Sequence, residues 1–193
     1  TQCLKLTGTE TVLEIGTGSG FLCFEMERRG GEVVAYDLSE DFDWDLVPMA
    51  GVDSVAGAAE RKRHIRRLNN GYWLAHRACS SRARVVHGTA YSIPEEIGEV
   101  DICVVGSGLL HLRDPFRALQ QALRVTKEAV VVTDVLARRP LRSRLADRLL
   151  GPHAVFLPDA RRGGPLDSWW HLSPETVRRM LGVLGFPRTR CRT

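Results

Sequence analysis

A chain of 193 residues with 44% hydrophobic and 26% charged residues has the length and composition of one ordinary globular domain. No apolar run approaches the ~18 residues that a membrane-spanning helix requires, so no span and no membrane partner are expected. The net charge of +4 rests on 27 basic residues, and only Lys5, Lys62 and Lys127 of these are lysine; an arginine bias of this kind follows from GC-rich coding and is weak evidence for a nucleic-acid partner.

The first residues, Thr1 to Lys5, include neither an initiator methionine nor a signal-peptide pattern, so the natural chain is expected to begin earlier. The five cysteines are odd in number and contain no C-x-x-C. Cys23 and Cys103 fall in apolar segments and read as buried thiols, which points to a reducing cytoplasm and to no structural metal.

Val12, Leu13 and Ile15 form a short buried strand, with Glu14 inside it. Gly16, Gly18 and Gly20 follow at once, separated by Thr17 and Ser19. Phe21 to Arg29 then has a helical pattern that stops at Gly30-Gly31. Strand, glycine turn and helix make the first half of a nucleotide-binding βαβ unit, in which glycine lets the backbone approach a ligand and helix N-termini offer free N–H groups. The dinucleotide pattern Gly-x-Gly-x-x-Gly fails, because Phe21 or Cys23 stands where the third glycine belongs. A phosphate-binding loop would need Gly-Lys-Ser/Thr, and no lysine is near. About twenty residues on, Glu32 to Asp37 is a strand ending in a carboxylate, as a ribose-binding acid should stand. A carboxylate only accepts hydrogen bonds and so suits two vicinal hydroxyls.

Residues 38–54, beginning with Leu38, are acidic and loop-like, and Trp44 is placed to cover a ligand. Residues 55–79 read as helical, with a basic run at 61–67 and a break expected at Asn70-Gly71. The run is either a solvated face or a contact for phosphate. Arg82 to Gly88 is a third strand, followed by Thr89, Ala90 and Tyr91. Val100 to Val105 is a fourth, nearly all apolar as a central parallel strand should be. Gly106, Ser107 and His111 leave its carboxyl end, where open α/β sheets bind ligands. Asp114 is the expected N-cap of the next helix, with Pro115 at its first position. Ala129 to Val135 is a fifth strand. Residues 136–172 are a less regular, loop-rich insertion ending in Trp169-Trp170-His171. Ser173-Pro174 opens a last helix, and Pro187 to Thr193 is the start of a sixth strand, incomplete at the C-terminus. The expected architecture is a doubly wound, mostly parallel α/β sheet in a single domain spanning 1–193.

The Glu-x-Gly-x-Gly-x-Gly arrangement at 14–20 resembles the first motif of the class I S-adenosylmethionine-dependent methyltransferases. Further segments narrow the likeness. They are Val12 to Thr17, Phe24 to Gly30, Glu32 to Asp37, Asn70 to Ala78, His111 to Pro115, and the Trp169-Trp170 pair. In this order they resemble a subgroup related to the tRNA wobble-uridine carboxymethyltransferases, over roughly residues 10–186. The resemblance implies S-adenosyl-L-methionine as cofactor, with Glu14, Gly16, Thr17, Gly18 and Gly20 at its amino-acid end and Asp37 and Leu38 at its ribose. Thr89, Ala90 and Ser107 border its adenine and methionine parts. Ala90 stands near the place of an acid that often accepts from the adenine amine, so backbone groups or Thr89 must serve. Few residues precede the first motif, whereas the tRNA enzymes carry a large N-terminal extension, so a small-molecule acceptor is expected. The alternatives are an RNA-modifying methyl- or carboxymethyltransferase and a non-catalytic cofactor-binding module. For O- or N-methylation the expected general base is His111, or else it packs in the turn before the Asp114 cap. The expected acceptor contacts are Tyr72, Trp169, Trp170 and His171, with the alternative that the tryptophans pack the insertion onto the sheet.

Overall fold

The computed structural model describes residues 6–134, 151–161 and 166–192. Five parallel strands form one sheet in the order β3-β2-β1-β4-β5: β1 (Thr11–Ile15), β2 (Glu32–Asp37), β3 (Arg84–His87), β4 (Val100–Gly106) and β5 (Thr126–Thr133). Between them run α1 (Phe21–Arg28), α2 (Ser54–Ala78) and α3 (Pro115–Arg124); a fourth described helix, α4 (Pro174–Val183), follows later. The family-like wound sheet expected from the strand spacing is thus present.

Alternation along the central strands divides the core in two. Leu13, Ile15, Val34, Tyr36, Cys103 and Val105 point to one face, where Leu119, Leu123 and Leu181 of α3 and α4 cover them. Val12, Val33, Ala35, Ile102 and Val104 point to the other, against Cys23 and Met26 of α1 and Tyr72 of α2. Strands buried on both faces are the reason these segments read as nearly continuous apolar runs. The strand starts are tied together by Asp101, whose carboxylate accepts from Thr11 N and Oγ1 at 2.8 Å and pairs with Lys127 at 2.9 Å.

Several expectations need correction. The helix expected to break at Asn70-Gly71 is continuous from Ser54 to Ala78. Burial of Ile65 and Tyr72 on one side of α2 outweighs the ~1 kcal/mol that an interior glycine costs. The fifth strand starts at Thr126, three residues earlier than its apolar run, with a register shift opposite Val100 to Ile102. The region from 136 to 172 is not only loop: β6 (Ala154–Phe156) and β7 (Trp170–Leu172) pair antiparallel, while 136–150 and 162–165 lie outside the described residues. Residues 187–192 form no strand. The helix starts behaved as their sequences require. Asp114 accepts from Arg117 N at 2.9 Å, and Ser173 from Thr176 N at 3.2 Å, each with proline at the first turn.

Candidate active site

The sheet order reverses between β1 and β4, and crevices open at such a switch point beyond the carboxyl ends of the strands. A cavity of about 460 Å³ lies there. Its floor is the glycine loop. Gly16, Gly18 and Gly20 all have left-handed φ (80°, 59° and 88°), a region that glycine enters without strain. Gly20 also lacks room: a Cβ there would strike the Phe24 ring and lie 2.8 Å from that of Tyr72. Gly16 N–H donates to Tyr36 O at 2.9 Å, pinning the loop to the end of β2.

Asp37 closes the loop. Its Oδ2 accepts from Gly18 N–H at 2.6 Å and its Oδ1 from Leu38 N–H at 2.7 Å. Each oxygen keeps a further lone pair, so a pair of ligand hydroxyls can still be received. Burial raises the Asp37 pKa, opposed by the two backbone N–H groups and by His87. Glu14 lies behind the loop, only 2% exposed. Burial, reinforced by the charge of Asp37, pushes its carboxyl up to about 8, with Thr17 opposing. Its Oε2 has no hydrogen-bond partner among the described residues. Thr17 is buried and turned inward, its hydroxyl 3.3 Å from Glu14 O.

The cavity wall brings together Gly16, Gly18, Asp37, Leu38, Thr89, Ala90, Ser107 and His111. Glu14, Thr17 and Gly20 do not line this cavity. Ser107 has φ 50°, and its N–H donates to Thr133 O at 2.8 Å, which turns the chain out of β4 towards the cavity.

His111 ends a single 3-10 turn, Leu109–His111. Its Nδ1 lies 2.5 Å from the carbonyl oxygen of Asp167. A carbonyl can only accept, so in the neutral ring Nδ1 carries the proton and Nε2 the lone pair; the tautomer is assigned from this hydrogen bond. Asp167 is itself anchored by Arg61 at 2.8 Å. The His111 ring meets Trp44 edge-on, 5.7 Å between centroids.

The expected acceptor contacts are placed otherwise. Trp169 is buried, and its Nε1–H donates to Asp45 O at 2.6 Å; Trp170 Nε1–H donates to Arg113 O at 2.9 Å. Neither tryptophan reaches the cavity, nor does His171, which sits in β7. Hydrogen bonds from Trp169 N–H to Leu110 O at 2.7 Å and from Trp170 Nε1–H to Arg113 O hold the β6–β7 ribbon to the turn after β4. Tyr72 is 4% exposed on the opposite sheet face, with its hydroxyl 3.5 Å from Cys23 Sγ and its ring against Phe24. It is a core residue that approaches the glycine loop from behind.

Sequence reasoning missed Asp45, Asn69, Tyr91 and Arg113, all in the cavity wall. Asp45 joins most of them: Oδ2 accepts from Tyr91 Oη at 2.5 Å and from Arg113 N at 2.6 Å, and Oδ1 lies 3.4 Å from Arg113 Nε. Asn69 Nδ2 donates to Leu38 O at 3.2 Å. Its place one turn after Ile65 and beside Leu68 on an amphipathic helix was the available signal.

Fold and cavity together define a wound α/β domain with a cavity open at its switch point. The match with the methyltransferase domain model over residues 13–132 is more specific, and the chain belongs to that family. It is similar in structure to a protein of Bacillus halodurans assigned as a methyltransferase, with a TM-score of 0.59 at 17% identity, over 95% of this chain and 65% of that one. The N-terminal domain of EvdMO1, solved with SAH bound, gives 0.50 at 13% identity, over 93% and 66%. LaPhzM gives 0.51 at 14%, over 91% and 44%. Identities this low show a shared fold, and the chain spans less than two thirds of the length of each. No curated protein matches it.

Proposed function

We propose that the protein transfers the methyl group of S-adenosyl-L-methionine to a small-molecule acceptor, at oxygen or nitrogen. The observation that carries this reading is one cavity that Gly16, Gly18, Asp37 and His111 all line. The residues fit the cofactor. Asp37 has lone pairs free for the ribose hydroxyls, and the loop leaves no side chain between its backbone and an amino-acid arm. The unpartnered Glu14 Oε2 offers a polar atom behind that loop. With Thr89 and Ala90 in the wall and no carboxylate at Ala90, backbone groups and Thr89 would meet the adenine edge.

The bound cofactor supplies an electrophilic methyl group on a sulfonium, so the protein's task is mainly orientation. Asp37 and the loop fix one reactant. Leu38, Trp44 and Ala90 shield it from water. His111 holds a lone pair at Nε2 and can take the acceptor's proton as general base. Calorimetry tests the reading: S-adenosylmethionine or S-adenosylhomocysteine should bind with micromolar affinity, about 8 kcal/mol, and NAD should not. Tight NAD binding without binding of either sulfur compound overturns it.

The RNA reading, with its likeness to the wobble-uridine carboxymethyltransferases, relied on the basic run of α2. Three of its cations are already matched: Arg61 with Asp167, Lys62 with Asp43, and Arg66 with Glu40. That pairing favours the small-molecule reading. The buried free thiols Cys23 and Cys103 suit a reducing, cytoplasmic setting.

A further inference from the structure

The acceptor end of the cavity has a definite chemistry. Trp44 forms part of its wall, edge-on to His111, with the Arg61 guanidinium 5.7 Å from the ring centroid. Ile65, Leu68 and Leu112 add apolar surface to the same cavity. The charged groups nearby are compensated within the protein. Asp45 receives Tyr91 and Arg113, Asp43 pairs with Lys62 at 3.3 Å, and Arg61 pairs with Asp167. A charged acceptor would have to compete with these pairs and give up part of its hydration, and that desolvation costs free energy. His111 Nε2 bears a lone pair and has no hydrogen-bond partner among the described residues.

We infer that the acceptor is a neutral aromatic hydroxyl compound, a phenol, lying against Trp44 with its hydroxyl on His111 Nε2. The inference rests on the methyltransferase reading and narrows its acceptor class. Aromatic rings gain from offset or edge-to-face contact with an indole beyond the area they bury. The hydroxyl supplies the proton donor that Nε2 requires. A phenol ionises near pH 10, as tyrosine does, so an imidazole can remove its proton as the bond to carbon forms. An aliphatic alcohol holds its proton far more tightly. In the transfer the phenol oxygen forms a bond to the methyl carbon while the carbon–sulfur bond breaks. The phenolic proton passes to His111 Nε2. The products are an aryl methyl ether, a neutral thioether and an imidazolium, which releases its proton to solvent.

The test uses the full chain saturated with S-adenosylhomocysteine, its binding first established by calorimetry. Saturation-transfer NMR then compares p-cresol with three shape-matched probes: 4-methylcyclohexanol, 4-methylbenzoate and 4-methylbenzylamine. We expect p-cresol to bind at least tenfold more tightly than each. Trp44→Leu should bring the ratio of p-cresol to 4-methylcyclohexanol close to one, and Trp44→Phe should keep it, which guards against a merely misfolded variant. With S-adenosylmethionine, p-cresol should yield 4-methylanisole, and His111→Gln should lower that turnover about a hundredfold. If S-adenosylhomocysteine binds but p-cresol shows no preference, or the benzoate or the amine binds better, or the preference survives in Trp44→Leu, the phenol assignment is wrong and the methyltransferase reading stands. If S-adenosylhomocysteine does not bind, both fall.

Discussion

Glu14 is the residue whose sequence position says least about its state. A glutamate within an apolar strand reads as a motif acid, yet its charge depends on packing that no spacing reveals. Buried beneath the glycine loop, its carboxyl titrates at about 8 rather than 4.5, so near pH 7 the folded protein holds it protonated. The sign follows from linkage. Below pH 4.5 both folded and unfolded chains carry the proton, and the contribution to stability is fully present. Between about 4.5 and 8 the unfolded chain ionises while the folded one resists, and stability falls by up to ~1.4 kcal/mol per pH unit, on the order of 5 kcal/mol in all. Glu14→Gln should therefore flatten the decline of the urea midpoint between pH 5 and 8; an unchanged decline would contradict the burial argument. Asp37 was legible, because a carboxylate ending the second strand is a pattern of spacing. Its second duty, clamping Gly18, was not. Asp37→Ala should weaken S-adenosylhomocysteine binding by ~1.5–3 kcal/mol in calorimetry, and some of that loss should appear as a looser loop, visible as faster amide exchange at Gly18.

Among the elements, the strands of the central sheet could be read from their apolar runs, and the helix starts from Asp114 and Ser173. What could not be read were features set by contacts far along the chain. Nothing local says that α2 runs through Asn70-Gly71, since Ile65 and Tyr72 hold it from the sheet side. Gly71 has open space where a Cβ would go and an ordinary helical φ. Gly71→Ala is accordingly expected to stabilise the protein by ~0.4–1 kcal/mol, measured by urea unfolding; destabilisation would mean that the helix bends there. The β6–β7 ribbon was hidden because its strands are only three residues each and lie fourteen positions apart. Its tryptophans resembled a binding wall in sequence, whereas their N–H groups are spent on Asp45 and Arg113 carbonyls. Trp169→Ala should then lower stability by ~3–5 kcal/mol. Weakened acceptor binding with an unchanged melting temperature would restore the binding role.

For the whole molecule, cofactor binding and stability are one equilibrium. At a hundredfold excess over its dissociation constant, S-adenosylhomocysteine should add ~2.7 kcal/mol, a rise of roughly 5–11 °C in Tm for a chain of this size. The surface charge leads to a further expectation. With Arg61, Lys62 and Arg66 matched internally, binding to an RNA pool should be weak and its dependence on salt shallow; a steep slope would reveal several phosphate contacts.

Asp45 is one carboxylate in a segment without regular structure, yet it fastens that segment to Tyr91 and Arg113, and its own carbonyl takes the Trp169 indole. These four residues come from four separate stretches of the chain, so the parts of this cavity wall are not interchangeable modules. Grafting the 38–53 segment of a relative onto this protein, to borrow its substrate range, would leave Tyr91 and Arg113 without their carboxylate unless the graft supplied one, and would have to keep a carbonyl within reach of Trp169. A working chimera would have to transplant all four stretches together, and natural variation at these positions should therefore be correlated rather than independent.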